Sequence, residues 1–331
     1  MIEEKEKYGS QKYLKCVPPW SEGGKANWFP PSLWEKKIWE RGKSVFGQIL
    51  ANGLMLGGLY AAIGVSFSLI YGITGIVNLA HGTQIVIGAY ITFVLSKALK
   101  IDPFLTIPVT FVCLFIVGQL IQKYVINLVI KSGLMMTSLL TFGINLFLIN
   151  ILILIFTIDL RGLQPAYAGM NFEVFGITIP YIRVFIFIIA IAMTLLLELF
   201  LEKTKTGNSI RATVFNKKAA QLMGIHLGRT YTITFAIASA MAGVTGTLII
   251  TYSAVSPFSG GDFLMILFTV AVLGGLGSIP GALVGGLVLG LFESFTVLIL
   301  GVEFMKIISF LVFMLILIIR PVGIMGKQFY Q

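Results

Sequence analysis

His81 and Glu293 are ionisable side chains set well inside long apolar runs, and any chemistry in this chain starts with them. His81 stands in Val77-Asn78-Leu79-Ala80-His81-Gly82-Thr83, and Glu293 stands in Gly290-Leu291-Phe292-Glu293-Ser294. An ionisable group at such a place is costly and faces a cavity or a polar partner. His81 is either a hydrogen-bonding group that packs helices or, with Asn78 and Gly82, part of a solute path. No Asp or Glu stands near it in sequence, so no catalytic set forms and an enzymatic role is rejected. Glu293 is a proton relay, the cap of a broken helix, or a pore-lining carboxylate. A relay needs more than one membrane carboxylate, and Glu198 and Glu303 fall near the ends of apolar runs. A structural or pore-lining role is therefore preferred for Glu293.

Other chemistries lack their residues. The two cysteines, Cys16 and Cys113, make no metal-ligand pattern, and Cys113 lies within an apolar run. No G-x-x-x-x-G-K-[ST] sequence occurs, and Gly275-Leu276-Gly277-Ser278-Ile279-Pro280 misses G-x-G-x-x-G at its last position. No cofactor and no metal are expected on this chain. If ATP drives its work, the ATPase is a separate chain.

A polar loop interrupts the apolar sequence at 202–229. It carries Lys203, Lys205, Arg211, Lys217, Lys218 and Arg229 against the single acid Glu202. Ala212, Phe215, Ala219 and Leu222 recur at steps of 3, 4 and 3, the stripe of a short amphipathic helix. Asn208 suits the start of that helix and Gly224 its end. The helix is expected to dock on a partner outside the bilayer. His226 is expected to be solvated.

The elements that must position these groups follow from composition. The chain has 331 residues, is 57% hydrophobic and 11% charged, and has a mean hydropathy of +0.94. That composition defines a polytopic membrane protein. The apolar runs are 45–71, 76–96, 103–122, 134–158, 181–201, 230–252, 281–300 and 304–319, with a shorter run at 263–279 that crosses or re-enters. Lipid leaves no partner for free backbone groups, so the runs should be helices. The expected fold is all-α, with eight or nine transmembrane or re-entrant helices. The alternating pattern of a membrane barrel is absent.

The net charge of +10 does not point to nucleic acid, because Lys and Arg cluster beside the ends of runs. They place loop 202–229, Lys123, Lys131, Arg320 and Lys327 on the cytoplasmic side. The stretch 159–180 is placed outside. Residues 1–43 carry nine Lys/Arg and six Glu, a mild preference for the cytoplasm. Nine crossings with a cytoplasmic C-terminus would instead put the N-terminus outside, and the parity stays open.

Residues 1–44 read as an extension ahead of a membrane domain at 45–326. The extension lacks an apolar core, so no cleavable signal peptide is expected. All four tryptophans, Trp20, Trp28, Trp34 and Trp39, fall in it. Residues 32–43 form either an interfacial helix with Leu33, Trp34 and Ile38 against lipid, or part of a disordered tail.

Glycines cluster twice, from Gly53 to Gly88 and from Gly260 to Gly290. Gly53/Gly57, Gly281/Gly285, Ala282/Gly286 and Gly286/Gly290 are small pairs four apart, which let helices approach closely. Interrupted helices in both halves also fit a midplane path that includes Gly274 and Gly275. Tight packing alone is the alternative.

Four motifs carry a resemblance. They are Tyr71-Gly72-Ile73-x-Gly75-Ile76-x-Asn78-x-Ala80-His81-Gly82; the loop with Gly207, Arg211, Ala212, Asn216, Ala219, Ala220, Met223, Gly224 and Ile225; Ala271-Val272-Leu273-Gly274-Gly275-x-Gly277-Ser278-Ile279-Pro280-Gly281-Ala282 with Gly285 and Gly286; and Arg320-Pro321-x-Gly323-Ile324-x-Gly326. Over 53–326 the chain resembles the shorter, LivH-like permease subunits of branched-chain amino acid ABC importers. That resemblance implies a multi-pass inner-membrane protein that forms half of a translocation pathway. It implies a second permease, two cytoplasmic ABC ATPases that hold ATP and Mg, and an extracytoplasmic solute-binding protein. Loop 202–229 would be the ATPase-coupling helix. Residues 1–44 have no counterpart in the family, and Thr83 stands where many relatives have an acidic residue. Related permeases carry urea or short amides. Two readings from other classes remain: a self-sufficient ion-coupled transporter using Glu293 and His81, and a membrane scaffold without flux.

Overall fold

The computed structural model describes residues 31–165, 167–174, 176–320 and 323–325, with the side chains of residues 31–45 and of Lys131 outside the description. Contacts divide the chain after Lys43, and residues from Ser44 onward form one compact unit. The expected lipid contacts of Leu33, Trp34 and Ile38 and the placement of Trp20 and Trp28 lie outside the described residues. So do Pro321, Gly326 and Lys327.

Helix α1 runs Pro31–Thr74, and α2 runs His81–Leu99. Helix α3 is Ile107–Ile121 and continues through a π turn, Gln122–Ile126, into the short α4, Asn127–Val129. Helix α5 is Leu134–Phe156. A hairpin follows, β1 (Asn171–Val174) antiparallel to β2 (Ile177–Pro180), turning at Gly176 with φ +77°. Next come α6 (Tyr181–Lys203), α7 (Lys205–Phe215), α8 (Lys217–Leu222) and α9 (Leu227–Tyr252). The last three are α10 (Gly260–Gly274), α11 (Ile279–Ile299) and α12 (Met305–Ile319). Among the described residues, nine helices are long and apolar enough to cross a membrane, the first of them Phe46–Thr74. The all-α expectation holds, with one small hairpin added.

Helix α9 is the core, buried along most of its length. Small residues bring α2 and α3 onto it: Gly88 packs on Gly243, and Gly118 packs on Ser239 and Ala236. Hydroxyls tie the same three helices together. Thr92 Oγ1 lies 2.7 Å from Thr247 Oγ1, and Thr110 Oγ1 lies 3.2 Å from the same atom. A second seam joins α1 to α11, with Gly53 against Leu291, Gly57 against Leu287 and Gly64 beside Ala282. The order reverses along the two helices, so they are antiparallel. The small pairs thus serve two faces of α11: Gly281 and Gly285 meet α10 at Gly274, while Ala282, Gly286 and Gly290 meet α1. Helix α12 buries none of its side chains in this chain, and α5 buries few.

The two ends of the bundle differ. Gln48, near the start of the α1 span, exchanges hydrogen bonds with the backbone of Thr178 in the hairpin, at 2.8 and 2.9 Å. Thr74, at its other end, accepts from Lys217 Nζ at 3.4 Å. Gly277 and the segment after α12 pack at that second end. These contacts put Phe46 at the hairpin end, opposite α7 and α8.

Several boundaries shift from the apolar runs. Residues 76–80 are apolar in pattern but not helical. Gly75 has φ +71°, Thr74 Oγ1 accepts from Ile76 N at 3.1 Å, and Asn78 Oδ1 accepts from Ala80 N at 3.1 Å. Side-chain acceptors thus take over from the helix ladder. The run at 263–279 is replaced by α10, which starts at Gly260 and ends where Gly275 (φ +103°) and Gly277 (φ +80°) reverse the chain. Asp262 does not cap that helix. It lies within the first turn and pairs with Lys306 Nζ at 3.0 Å, while Ser256 and Ser259 form the capping box of the preceding 3-10 turn.

Candidate functional site

The unwound stretch 75–80 turns back into the bundle and brings His81 beside Ser66. Ser66 lies eight residues before Thr74, about 12 Å along the helix. Ser66 Oγ donates to Ile63 O at 2.9 Å, which uses its only proton. His81 Nε2 lies 2.8 Å from the same hydroxyl. His81 Nδ1 is left without a partner among the described residues, and so are Asn78 Nδ2, Gln84 Nε2 and Ser68 Oγ. All four residues are buried. Such orphans are rare, because each costs about 1–3 kcal/mol. Next to them Thr83 Oγ1 donates to Asn145 Oδ1 at 2.5 Å, and Ser239 Oγ donates to Gln84 Oε1 at 3.2 Å. Gly82 lets the backbone of Gly260 approach, since a Cβ there would meet the Gly260 carbonyl.

Glu293 sits elsewhere. Tyr60 of α1 donates to its Oε2 at 2.5 Å, and Ser309 of α12 donates to its Oε1. Both oxygens are engaged, so the carboxylate ties three helices together and does not join His81. Gly274 and Gly275 form a third place, the end of α10. The carbonyls of Leu273 and Gly274 accept there from Ile324 N and Met325 N at 2.9 and 3.0 Å. Ile324 and Met325 thus cap α10.

The polar loop folds as two helices, not one. Thr204, not Asn208, caps α7, accepting from Gly207 N at 2.9 Å. Asn216 breaks the stretch and caps α8, accepting from Ala219 N at 3.0 Å. Gly224 (φ +83°) ends α8 as expected, and Ile225 N returns to Ala220 O at 3.0 Å. The inward face is Gly207, Ile210, Thr213 and Ala220. Of the expected stripe, Phe215 is 68% exposed and Leu222 89%, Ala219 is exposed and Ala212 half-buried, and Met223 beside it is 83% exposed. Arg211 lies 3.8 Å from Glu202 on the solvent side. Behind α8, a cavity of about 930 Å³ opens between Thr74, Leu134, Lys217, Gly224, Arg229 and Tyr231.

Sequence reasoning passed over the partners of these residues. Ser66, Gln84, Asn145, Tyr60 and Ser309 are polar residues within apolar runs, and that placement was their only signal.

A spanning helical bundle with unpaired polar groups at its interior and an exposed apolar ridge at one end is built as a membrane transport subunit. The family described as "Branched-chain amino acid transport system / permease component" matches residues 49–317, and the chain belongs to it. It is 32% identical over 295 residues to the high-affinity branched-chain amino acid transport system permease protein LivH of Salmonella typhimurium, covering 85% of this chain and 96% of that one. The corresponding permease protein BraD of Pseudomonas aeruginosa is 31% identical, with 85% and 95% covered. The probable LivH of Methanocaldococcus jannaschii is 31% identical, with 84% and 92% covered. The family is one of transport permeases, not enzymes.

Proposed function

We propose that this chain is one permease of an ABC importer for branched-chain or other apolar amino acids, in the cell (inner) membrane, and that residues 45–326 form its permease domain. The exposed ridge of Phe215, Leu222 and Met223, flanked by Lys217 and Lys218, carries the reading. A row of large apolar side chains at a bundle end marks a protein-docking surface. One of two cytoplasmic ABC ATPases, which hold ATP and Mg, docks there. The coupling residues are Gly207, Arg211, Ala212, Asn216, Ala220, Gly224 and Ile225. Of these, Gly207 and Ala220 hold the helices to the bundle, Asn216 and Gly224 set their ends, and Ala212 and Arg211 lie toward the partner. The unburied faces of α5 and α12 serve lipid and the second permease. An extracytoplasmic solute-binding protein delivers solute at the hairpin end.

Transport is alternating access, and each state must differ in its affinity for solute. The orphaned atoms of Asn78, His81 and Gln84 mark groups that gain partners when the path opens. Gly82, Gly274 and Gly275 sit where backbones touch or reverse, so they let helices shift. Glu293 holds α1, α11 and α12 as a unit. The ion-coupled reading gains nothing from Glu293, whose two oxygens already have hydroxyl partners.

Co-purification tests the assembly. Solubilising the tagged chain gently from its host should yield an ATPase with a Walker A motif and a second permease. A stable complex without any ATPase would overturn the proposal.

A further inference from the structure

At the hairpin end, a cleft of about 430 Å³ lies between α1, α6 and α11. Its inner wall is aliphatic, with Leu59, Ile186, Val297 and Met305 among its side chains. Its rim is polar. Arg183 Nη1 donates to Asn52 Oδ1 at 3.0 Å, and the guanidinium lies 5.2 Å from the centre of the Tyr252 ring. Neither ion pair found among the described residues includes Arg183. Arg183 and Tyr252 also line a second cavity of about 500 Å³, formed with Gly162, Gln164 and Ala254. The two side chains therefore partition an outer chamber from the aliphatic cleft.

A cation with no carboxylate beside it, standing at the mouth of an apolar cleft, fits a ligand with one anionic group and a branched hydrocarbon chain. We propose that Arg183 binds the carboxylate of the arriving solute while the cleft between Leu59, Ile186 and Val297 takes its aliphatic side chain, with Tyr252 separating this subsite from the outer chamber. The inference rests on the importer reading and deepens it. No acid lines the cleft, so the subsite reads carboxylate and chain and does not require the ammonium group. It lies apart from His81, borders on α11 the buried Glu293 whose two oxygens Tyr60 and Ser309 hold, and works as an outer station of the path.

The test uses the intact complex with its ATPases and second permease in nanodiscs. Equilibrium binding of radiolabelled L-leucine is competed with 4-methyl-2-oxopentanoate, which keeps carboxylate and chain, and with L-leucinamide, which lacks the carboxylate. The oxo acid should compete nearly as well as leucine, and the amide about tenfold to a hundredfold less, the worth of one charge-assisted hydrogen-bonded pair. Arg183→Gln should weaken leucine by a similar factor and erase the preference over the amide, while Arg183→Lys keeps part of it. A role for Arg183 only in holding Asn52 would weaken binding without changing that preference, and this result overturns the proposal. Unchanged leucine binding in Arg183→Gln overturns it too, including the case where mass spectrometry shows that a bound phospholipid is lost instead. ATP-driven leucine uptake by the wild-type complex in proteoliposomes is measured separately. Uptake that ignores Arg183 removes the subsite alone, whereas no uptake at all removes the importer reading.

Discussion

Tyr60 of α1 donates its hydroxyl to Glu293 of α11 across 2.5 Å, and Ser309 of α12 holds the other carboxylate oxygen. Helix α1 is thereby pinned at one buried point to the consecutive pair α11 and α12, far from it in sequence. Glu293→Gln keeps a carbonyl acceptor for Tyr60 and should retain ATP-driven uptake. Glu293→Ala leaves the Tyr60 hydroxyl unpaired and should cost roughly 1–3 kcal/mol. Thermal unfolding in detergent reads the cost. Abolished uptake in a well-folded Glu293→Gln protein would point to proton coupling instead.

The α1–α11 seam leaves no room for side chains. A Cβ on Gly57 would lie 2.7 Å from Leu287 Cα, while Gly143 of α5 has nothing within 4 Å of that position. Gly57→Val should abolish the monodisperse peak in gel filtration. Gly143→Ala should keep it and raise stability by about 0.5–1 kcal/mol, the penalty that glycine carries within a helix.

Position in α8 separates docking from folding. Leu222 is 89% exposed and Ala220 only 4%. Leu222→Glu should leave the elution profile unchanged yet lower ATPase capture at least about tenfold, as at a binding hot spot. Ala220→Glu should disturb the packing of α8 on the bundle and cut the yield of folded protein.

Asn216 ends one helix and begins the next. Asn216→Ala removes the acceptor for Ala219 N and should loosen α8 by about 1 kcal/mol. Amide exchange across Lys217–Leu222 should quicken about fivefold, with α9 unchanged.

The spans were legible because lipid permits little besides apolar helix, and every apolar run became one. What composition could not show was where hydrogen bonding leaves the ladder. Residues 76–80 are as apolar as a helix, and Thr74 and Asn78 unwind them through their side-chain oxygens. The loop at 202–229 was legible as amphipathic, and its stripe has helical spacing. The spacing ran across Asn216 but the helix did not, because Asn216 is extended there and its side chain caps a new helix. Periodicity also does not say whether an apolar face looks inward or outward, and here it looks outward. The partners of His81 and Glu293 were invisible for another reason. Tyr60 and Glu293 stand 233 residues apart, and only the fold brings them together. Arg183, three residues into an apolar helix, carried the same signal as His81 and was passed over.

The most direct test of the account is solute flux driven by ATP. The purified complex is reconstituted with its binding protein, ATP is enclosed on the α7–α8 side, and L-leucine accumulation is followed against a complex carrying Leu222→Glu. The account predicts accumulation that needs ATP hydrolysis and fails in that variant. Accumulation that proceeds without ATP, or that is unaffected by Leu222→Glu, would contradict it.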